Sequence, residues 1–373
     1  MNGRAPDWEQ TREVVLRGME AGWHRGFQAS VRHGDEAWDL CLGTTSGGDA
    51  MTPSTCCPWL SAGKPLTAWV VARAIQAGVL DWDDPLVRWV PEFGGGGKHE
   101  VTIRHVLSHT GGFRSGDHLE PGWDWGTALA HVCAAPLESG WVPGTTAGYH
   151  TRGSWLVLGE VLRRAWGKDF ESLVVREVTS PLGCEGLRFS WTREAALACG
   201  MGWSGLVASG RMGAGPGGAV KEAQEPARVD PGSGLRGTAR AMARWYAALM
   251  TPPPGWLDGS LVAELVRPQR AGVVDRTFGA VMSMGLGFIL NTGASGGLPT
   301  PYGYGPHASA RAFGHSGSQS TCALADPAHG LAVAWCFCGM PGEAIHQRRQ
   351  REVNTAVYQD LGLAFGDGGS GAG

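Results

Sequence analysis

Ser61 and Lys64, in the stretch LSAGKPLTAWVV, are the residues whose types and spacing most directly indicate chemistry. Residues three apart in a helix share one face, so the lysine amine can reach the serine hydroxyl. A serine becomes a useful nucleophile when a base takes its proton, and burial can lower the pKa of a lysine enough for that task. The flanking Trp59, Leu66 and Trp69 favour such burial. The alternative is a helix start whose lysine extends into water.

The segments around this pair resemble the serine β-lactamase-like family, in particular its class C branch with the related D-Ala-D-Ala peptidases, esterases and transacylases. The resemblance covers residues 10–362. It is carried by LSAGKPLTAWVVARAIQAGVLDWDDPLVRWVPEF, then VTIRHVLSHTGGF, then PGSGLRGTARAMARWYAAL, in that order. It implies acyl transfer through an ester on the serine, with no metal or organic cofactor. It also implies an α/β fold in which N- and C-terminal helices flank an antiparallel sheet beside a mostly helical insertion domain.

The resemblance gives the first two motifs their roles. Ser61 and Lys64 match the nucleophile and its partner lysine of this family. Tyr149, in PGTTAGYHTRGSW, matches the tyrosine that passes a proton beside the nucleophile. The second motif ends in Thr151, where penicillin-recognising members usually carry an asparagine that binds the amide arm of the substrate.

The third motif is His315-Ser316-Gly317 in FGHSGSQST, on the strand that lines the pocket in this family, so the resemblance implies that Ser316 and Gly317 contact the substrate. The resemblance implies that the peptide N–H of Ser318 joins that of Ser61 in an oxyanion hole. Histidine replaces the lysine that usually begins this motif, which removes a permanent cation for a carboxylate and is common among esterase-like members. The departures in the second and third motifs both argue against a β-lactam or peptidoglycan substrate.

Composition excludes several other classes of function. The chain has 373 residues, of which 43% are hydrophobic, and a net charge of −3 from 31 basic and 34 acidic side chains. This balance does not indicate a nucleic-acid or membrane partner, and the apolar stretches are too short for a transmembrane helix. The first residues lack the apolar core of a signal peptide, and the odd count of nine cysteines has no metal-type spacing. We therefore expect a cytoplasmic protein with reduced thiols.

The elements that must position these motifs can be predicted from periodicity. Residues 7–24 form an amphipathic helix whose apolar face includes Leu16, and a hairpin follows around residues 33–35. Thr102 is a candidate N-cap for the helix IRHVLSH. TRGSWLVLGEVLRRAWG and GTARAMARWYAALM predict two more helices, and residues 202–234, rich in Gly, Ala and Pro, predict a long loop.

Strands return near the end of the chain. RAFGHSG, STCALADP and HGLAVAWCF read as three strands, and GEAIHQRRQREVNTAVYQDLG as a closing helix. Strands are thus predicted near both ends of the chain, with helices between them. This order predicts a discontinuous α/β domain of residues 1–60 and 275–366. A mostly helical domain of residues 61–274 would carry the first two motifs, and residues 367–373 would be a disordered tail.

A metal site is the main rival interpretation of one segment. His105 and His109 have the i, i+4 spacing of a metal-binding pair on a helix. The sequence has no H-E-x-x-H motif, however, and no third ligand follows from the pattern. We therefore expect this segment to be structural, and we expect no metal.

The identity of the second nucleophile is the open point of this mechanism. An amine or alcohol acceptor would make the chain a transacylase that forms an amide or ester from a small ester donor in specialised-metabolite biosynthesis, whereas water would make it a carboxylesterase. We expect the transacylase, because Trp59 and other aromatic residues would give a dry pocket. A β-lactamase, a D-Ala-D-Ala peptidase and a non-catalytic ligand-binding protein are the further alternatives. The sequence does not predict an oligomeric state.

Overall fold

The computed structural model describes residues 6–209, 228–270, 272–291 and 301–364. The long loop expected over residues 202–234 lies partly outside these ranges, and the tail expected at residues 367–373 lies wholly outside them. No helix in the described ranges is long and apolar enough to cross a membrane. The same ranges hold no cluster of three or more His, Cys, Asp or Glu side chains suited to a metal ion. Cysteines that the structure shows as free thiols are Cys41, Cys57, Cys133, Cys184, Cys199, Cys322 and Cys336.

The strands form one large sheet and two small ones. In chain order they are β1 (Gly26–His33), β2 (Glu36–Gly43), β3 (Thr55–Pro58), β4 (Gly202–Trp203), β5 (Arg236–Gly237), β6 (Val274–Asp275), β7 (Ala280–Val281), β8 (Ile289–Leu290), β9 (Phe313–Gly317), β10 (Thr321–Asp326) and β11 (Leu331–Phe337). The large sheet is antiparallel, with the order β2-β1-β11-β10-β9-β8. β3 lies between β4 and β5 in a three-stranded sheet.

Ten α-helices accompany these strands in the described ranges. They are α1 (Glu9–Glu20), α2 (Lys64–Gln76), α3 (Ile103–Leu107), α4 (Trp125–Ala134), α5 (Gly153–Trp166), α6 (Phe170–Val174), α7 (Arg193–Ala198), α8 (Ala239–Met250), α9 (Gly259–Leu265) and α10 (Glu343–Asp360). Helices dominate the chain between β3 and β6. The predicted architecture, an antiparallel sheet with terminal helices and a helical insertion, is confirmed.

The large sheet is buried on both faces, and large and small residues alternate along its strand β11. On β11, Val333 and Trp335 pack in a cluster with residues of α1 and α10, whereas Ala332 and Ala334 belong to the larger core that also contains α8. Successive strand residues point to opposite faces, so the large side chains meet the terminal helices. The alanines let α8 approach closely on the other face. α8 thus packs on the sheet, although it lies within residues 61–274.

Local signals in the sequence are confirmed with small changes. Gly34 has φ 58° and closes the β1–β2 hairpin. Thr102 caps α3 by accepting the N–H of His105, whose Nδ1 accepts the N–H of Thr102 in return. The face expected for α1 was wrong at Leu16, which is 47% exposed, because Val15 rather than its neighbour faces the sheet.

Candidate active site

The serine and lysine of the first motif lie on one tight turn. Ser61 belongs to a 3₁₀ turn, Leu60–Gly63, and the α-helix α2 begins only at Lys64. Ser61 therefore lies in the turn before the α-helix rather than in one helix with Lys64. Residues three apart eclipse each other in a 3₁₀ turn, which brings Lys64 Nζ within 2.9 Å of Ser61 Oγ.

The amine of Lys64 is fully buried and surrounded by oxygen acceptors. Besides Ser61 Oγ, Nζ donates to the carbonyl oxygens of Thr151 and Gly232, each at 2.8 Å. Burial lowers the pKa of this amine to about 7, although the carboxylates of Asp230 and Asp117 act in the opposite direction. The alternative of a lysine that extends into water is thus wrong. Ser61 itself remains partly exposed. A substrate can therefore reach its hydroxyl while the Lys64 amine stays shielded from water.

Tyr149 approaches the same hydroxyl from the loop before α5. Its phenol hydrogen-bonds with the Ser61 side chain, and burial raises the phenol pKa well above its ordinary value. The ring stacks on His109 with 4.3 Å between ring centroids. The phenol therefore keeps its proton at neutral pH, whereas the Lys64 amine is able to lose one.

A buried ion pair fixes the backbone of this tyrosine. Asp275 Oδ1 accepts the N–H of Tyr149 at 3.1 Å and that of Thr277 at 2.8 Å, and Thr277 Oγ1 donates back to the Tyr149 carbonyl at 3.0 Å. Asp275 Oδ2 accepts from Arg270 Nη2 at 2.7 Å, and both side chains of this pair are buried. Asp275 is thus a positioning residue, and no motif or spacing in the sequence points to it.

A second aspartate fixes the start of α5. Asp117 accepts the N–H groups of Thr151 and Gly153, each at 2.8 Å, and that of Arg152 at 3.3 Å. It thereby caps a helix whose own N-cap, Arg152, offers no side-chain acceptor. The same contacts aim the Thr151 carbonyl at Lys64. The Thr151 side chain is exposed, and its role in binding a substrate stays a prediction.

A third aspartate shapes the segment that covers Lys64. Asp230 accepts the N–H of Gly232 at 2.9 Å and that of Ser233 at 3.1 Å, and its Oδ2 accepts from Arg152 Nε at 2.6 Å. A Cβ on Gly232 would lie 3.0 Å from Trp155 Cβ, so glycine lets its carbonyl reach the amine. The string Asp-Pro-Gly-Ser-Gly is typical of such a turn, and it could have revealed Asp230 from sequence.

The end of β9 lies against the turn that carries Ser61. A Cβ on Gly317 would clash with the Trp59 carbonyl oxygen and the Thr321 hydroxyl, so this glycine permits the close approach. Leu60 and Gln319 have φ values of 51° and 54°, a left-handed conformation that side chains disfavour. These two strained residues flank Ser61 and Ser318, whose N–H groups are the oxyanion donors expected from the sequence. The Ser318 hydroxyl donates to Glu343 at 2.8 Å.

The other two residues of the third motif point to different neighbours. Burial lowers the pKa of His315 to about 3, helped by the charge of Lys64, so the imidazole is neutral. Its Nδ1 lies 2.8 Å from the Ser316 carbonyl, and its Nε2 has no hydrogen-bond partner among the described residues. The Ser316 hydroxyl donates to Gln350 of α10. The substrate contact expected for the Ser316 side chain is therefore wrong, because that hydroxyl is buried and already bonded.

Trp59 also differs from its expected role. Its side chain is completely buried, and its indole N–H donates to the Gly237 carbonyl at 3.2 Å. Its own carbonyl accepts from Thr321 Oγ1 at 2.9 Å. The ring cannot contact a substrate because no part of it is exposed, so Trp59 supports the Ser61 turn from behind.

The histidine pair considered as a metal site serves the fold. His105 completes the cap of α3, as described above. His109 accepts the N–H of His150 on its Nδ1 at 3.0 Å and stacks on Tyr149. These contacts occupy one nitrogen of each ring, and they make His109 part of the packing that holds the tyrosine.

A large cavity opens beside this cluster. It has a volume of about 750 Å³, and Ser61 is not part of its lining. Leu60 and Ser233, however, contribute to the wall, and these residues adjoin Ser61 and Gly232 in the chain. The wall of the cavity thus comes within one residue of Ser61 along the chain, and its volume is of a size that accommodates a small organic substrate.

Comparisons with known proteins agree on one family. A family model described as Beta-lactamase matches residues 11–357. The chain is 30% identical over 312 residues to Esterase/beta-lactamase LipL of Mycobacterium tuberculosis, covering 74% of this chain and 67% of that protein. It is 29% identical over 308 residues to Esterase EstB of Burkholderia gladioli, covering 72% and 76% of the two chains.

Solved structures give the same result. A penicillin-binding protein homologue from Caulobacter crescentus is 26% identical with a TM-score of 0.76, over 96% of this chain and 99% of that one. A family VIII carboxylesterase is 25% identical with a TM-score of 0.77, over 96% and 98% of the two chains. The family match spans the three motifs and the whole sheet, so this chain belongs to the serine β-lactamase-like family and is an enzyme of that family.

Proposed function

We propose that this chain is a carboxylesterase that cleaves small esters through an acyl-enzyme on Ser61. The observation that carries the proposal is the hydrogen bond of 2.9 Å between Ser61 Oγ and a fully buried amine, that of Lys64. An amine with a pKa of about 7 is a base that works at neutral pH, since catalytic bases act best when their pKa lies near the operating pH.

Acylation begins with the neutral amine of Lys64. It takes the proton of Ser61 as Oγ attacks the ester carbonyl carbon, and the N–H groups of Ser61 and Ser318 stabilise the resulting oxyanion. Collapse of this intermediate breaks the bond to the alcohol. The Tyr149 phenol, which keeps its proton because of burial, donates to the departing alkoxide and regains a proton from the Lys64 ammonium.

Deacylation uses the same groups in reverse. Water attacks the acyl carbon of the Ser61 ester while the neutral Lys64 amine receives the proton of that water. The second oxyanion is held by the same two N–H groups. Its collapse releases the carboxylic acid, and the Ser61 oxygen regains its proton from Lys64. Neutral His315 lies beside Tyr149, with 6.0 Å between ring centroids, and adds no charge to the site.

The relatives support water as the acceptor. Both sequence relatives carry the word esterase in their names, and one solved relative is a carboxylesterase. A transacylase remains the second candidate, because the cavity of about 750 Å³ beside Ser61 leaves room for a second substrate. β-Lactam hydrolysis is less favoured. Exposed Thr151 and neutral His315 replace the asparagine and lysine usual in penicillin-recognising members.

The test is hydrolysis of 4-nitrophenyl butyrate combined with intact-mass analysis of the quenched enzyme. Wild-type protein should turn the ester over and carry a butyryl adduct on Ser61. Ser61→Ala should lose activity by about a thousandfold or more, because nucleophile and base act as a unit. Ser54→Ala is the matched control, since Ser54 is an exposed serine near the start of β3, and it should behave as wild type.

Two results would contradict the proposal. If Ser61→Ala keeps near-normal turnover, the nucleophile lies elsewhere. If no activated ester is turned over and no adduct forms on wild-type protein, the chain is a ligand-binding member of the family without this chemistry.

A further inference from the structure

The wall of the large cavity adjoins the catalytic cluster along the chain at three points. Three of its lining residues each adjoin, in the chain, a residue that surrounds the Lys64 amine. Consecutive Cα atoms are about 3.8 Å apart, so the cavity wall begins one residue away from the reacting groups. The three pairs are Leu60 with Ser61, Arg152 with Thr151, and Ser233 with Gly232.

Most of the remaining wall is apolar and aromatic. Such a wall favours an organic group over water, and the two tryptophans offer flat faces for packing. The apolar residues of the lining include Pro58, Phe189, Trp191, Trp203, Leu206 and Val229.

One buried polar side chain in this wall has donors without acceptors among the described residues. Arg228 is 7% exposed, and its Nη1 donates to the carbonyls of Glu120 and Trp123 at 2.8 and 2.9 Å. Its Nε and Nη2 are themselves buried and have no hydrogen-bond partner among the described residues. Those two N–H groups form one edge of the planar guanidinium, and such an edge matches the two oxygens of a carboxylate. The contacts at Nη1 fix the orientation of that edge.

Neighbouring charges strengthen the case for an anion. The carboxylate that acts on Arg228 is that of Asp230, and Asp230 is already bonded to Arg152 Nε at 2.6 Å. Arg152, Arg193 and Arg236 line the same cavity, together with the carboxylate of Glu194, so arginines outnumber carboxylates in its wall. Arg228 forms no ion pair within the part of the chain that the structure describes. A buried guanidinium with two free donors binds an anionic group strongly, because the group replaces hydrogen bonds that the side chain lost on leaving water.

We propose that this cavity binds the carboxylate of the substrate through Nε and Nη2 of Arg228. The substrate class is then an ester with an apolar body and a carboxylate at one end, its reacting carbonyl directed to Ser61. This inference rests on the proposed esterase function for its catalytic consequence. The binding part of it does not depend on turnover.

Binding is tested first on Ser61→Ala, which cannot turn a substrate over. The probes are 4-phenylbutyrate and its uncharged isostere 4-phenylbutyramide, measured by isothermal titration calorimetry. We expect the carboxylate to bind about 10- to 100-fold more tightly, the range that hydrogen bonds to charged groups give. Adding Arg228→Gln should abolish this preference. Adding Arg12→Gln, which removes an exposed arginine of α1, should preserve it.

Turnover supplies the second test and locates the carboxylate. The first pair of substrates for the wild-type enzyme is mono-4-nitrophenyl adipate and its methyl ester. The first compound carries a free carboxylate on the acyl side, and the second does not. Phenyl butyrate and 4-carboxyphenyl butyrate place the charge on the alcohol side. We expect kcat/KM to favour the charged member of one pair by about tenfold or more, and Arg228→Gln to erase the ratio.

Failure of this inference is distinct from failure of the esterase proposal. Equal binding of the acid and the amide to Ser61→Ala would overturn the anion site even if esters are hydrolysed well. Preferential binding of the acid would support it even if no ester is hydrolysed. If Arg228→Gln does not fold, Arg228→Lys is used instead, because it keeps the charge but loses the planar edge. An unchanged preference for the acid over the amide in that variant would equally overturn the role of Nε and Nη2.

Discussion

Lys64 Nζ lies 5.2 Å from the centre of the Tyr149 ring, and both side chains hydrogen-bond to the hydroxyl of Ser61. Burial changes their pKa values in opposite directions, because it disfavours the charged form of each. The amine is thereby able to be neutral near pH 7, while the phenol keeps its proton. Environments that separate two pKa values in this way define which group is the base and which is the proton donor.

The first prediction concerns the pH dependence of catalysis. Only the neutral amine of Lys64 can take the Ser61 proton, so kcat/KM should rise with pH and level off above an apparent pKa of about 7. Lys64→Arg should be at least about a hundredfold less active and show no such rise, since a guanidinium does not lose its proton at working pH. Initial rates on 4-nitrophenyl butyrate between pH 5 and 9 measure both effects.

Lys168→Arg is the control for this experiment, because Lys168 is exposed and remote from the motifs. It should show the wild-type profile. A wild-type profile that is flat from pH 5 to 9, with full activity at the acid end, would exclude Lys64 as the base.

The second prediction concerns stability. The folded chain holds Lys64 with a pKa of about 7, whereas the unfolded chain binds that proton up to about pH 10. Between these values the unfolded state binds more protons, so stability rises with pH by about 1.4 kcal/mol per unit. Relative to Lys64→Met, the free energy of unfolding of wild type should therefore fall by about 2–3 kcal/mol from pH 9 to pH 7.

Urea denaturation of both proteins at the two pH values measures this difference. The carbonyls of Thr151 and Gly232 lose a donor in Lys64→Met, but that loss does not depend on pH and cancels in the comparison. Lys168→Met should leave the wild-type pH dependence unchanged. A difference between wild type and Lys64→Met that is the same at both pH values would mean that the amine is charged in the folded state throughout.

The third prediction concerns the approach of β9 to the Ser61 turn. A methyl group at Gly317 would clash with the Trp59 carbonyl, so Gly317→Ala must move the end of β9 and with it the Ser318 N–H. Loss of one oxyanion donor costs about 100-fold or more in kcat. Gly126→Ala in α4, where the nearest atom lies 3.7 Å from the added Cβ, is the control. Unchanged kcat in folded Gly317→Ala would separate Ser318 from the oxyanion site.

Much of this site could be predicted from the sequence because its main signals are local. The three-residue spacing of Ser61 and Lys64 places them on one face in any helical turn. The cap at Thr102 likewise depends on neighbours in the chain. Asp117 and Asp275 could not be predicted, because each binds the backbone of a segment far away in sequence. An isolated aspartate has no periodic pattern, so only the folded chain reveals which amide groups it accepts.

The wrong assignments of Trp59 and Ser316 to the substrate site have the same physical cause. Trp59 and Ser316 lie beside predicted site residues in the chain, but proximity in sequence does not imply contact with the substrate. On the strand β9, however, successive side chains point to opposite faces, so Ser316 turns to Gln350 while its neighbours face the Ser61 turn. The indole of Trp59 is held in the core by Gly237.

The fourth prediction is that the enzyme hydrolyses penicillins poorly. His315 is neutral above its pKa of about 3, and Thr151 offers a hydroxyl where penicillin-recognising members carry an amide. Misorientation of a bound substrate costs about a hundredfold in rate, so kcat/KM for benzylpenicillin should be at least about a hundredfold below that for 4-nitrophenyl butyrate. Absorbance assays on one enzyme preparation give both values. Comparable efficiencies would show that the two substitutions do not govern specificity.

The last prediction separates hydrolysis from acyl transfer. Water is present at about 55 M, so a millimolar amine or alcohol can compete for the acyl-enzyme only if a binding site gives it a high effective concentration. For an esterase, the yield of butyric acid from 4-nitrophenyl butyrate should stay unchanged as primary amines and alcohols are added.

The measurement is the ratio of acid to amide or ester product by mass spectrometry, at acceptor concentrations from micromolar to millimolar. Ser61→Ala supplies the background of uncatalysed transfer. Saturable capture by one class of acceptor, with a matching fall in acid, would replace the esterase by the transacylase. Ser61, Lys64 and Tyr149 would keep their roles in that case, because the acceptor loses its proton to the same Lys64 amine that would otherwise activate water.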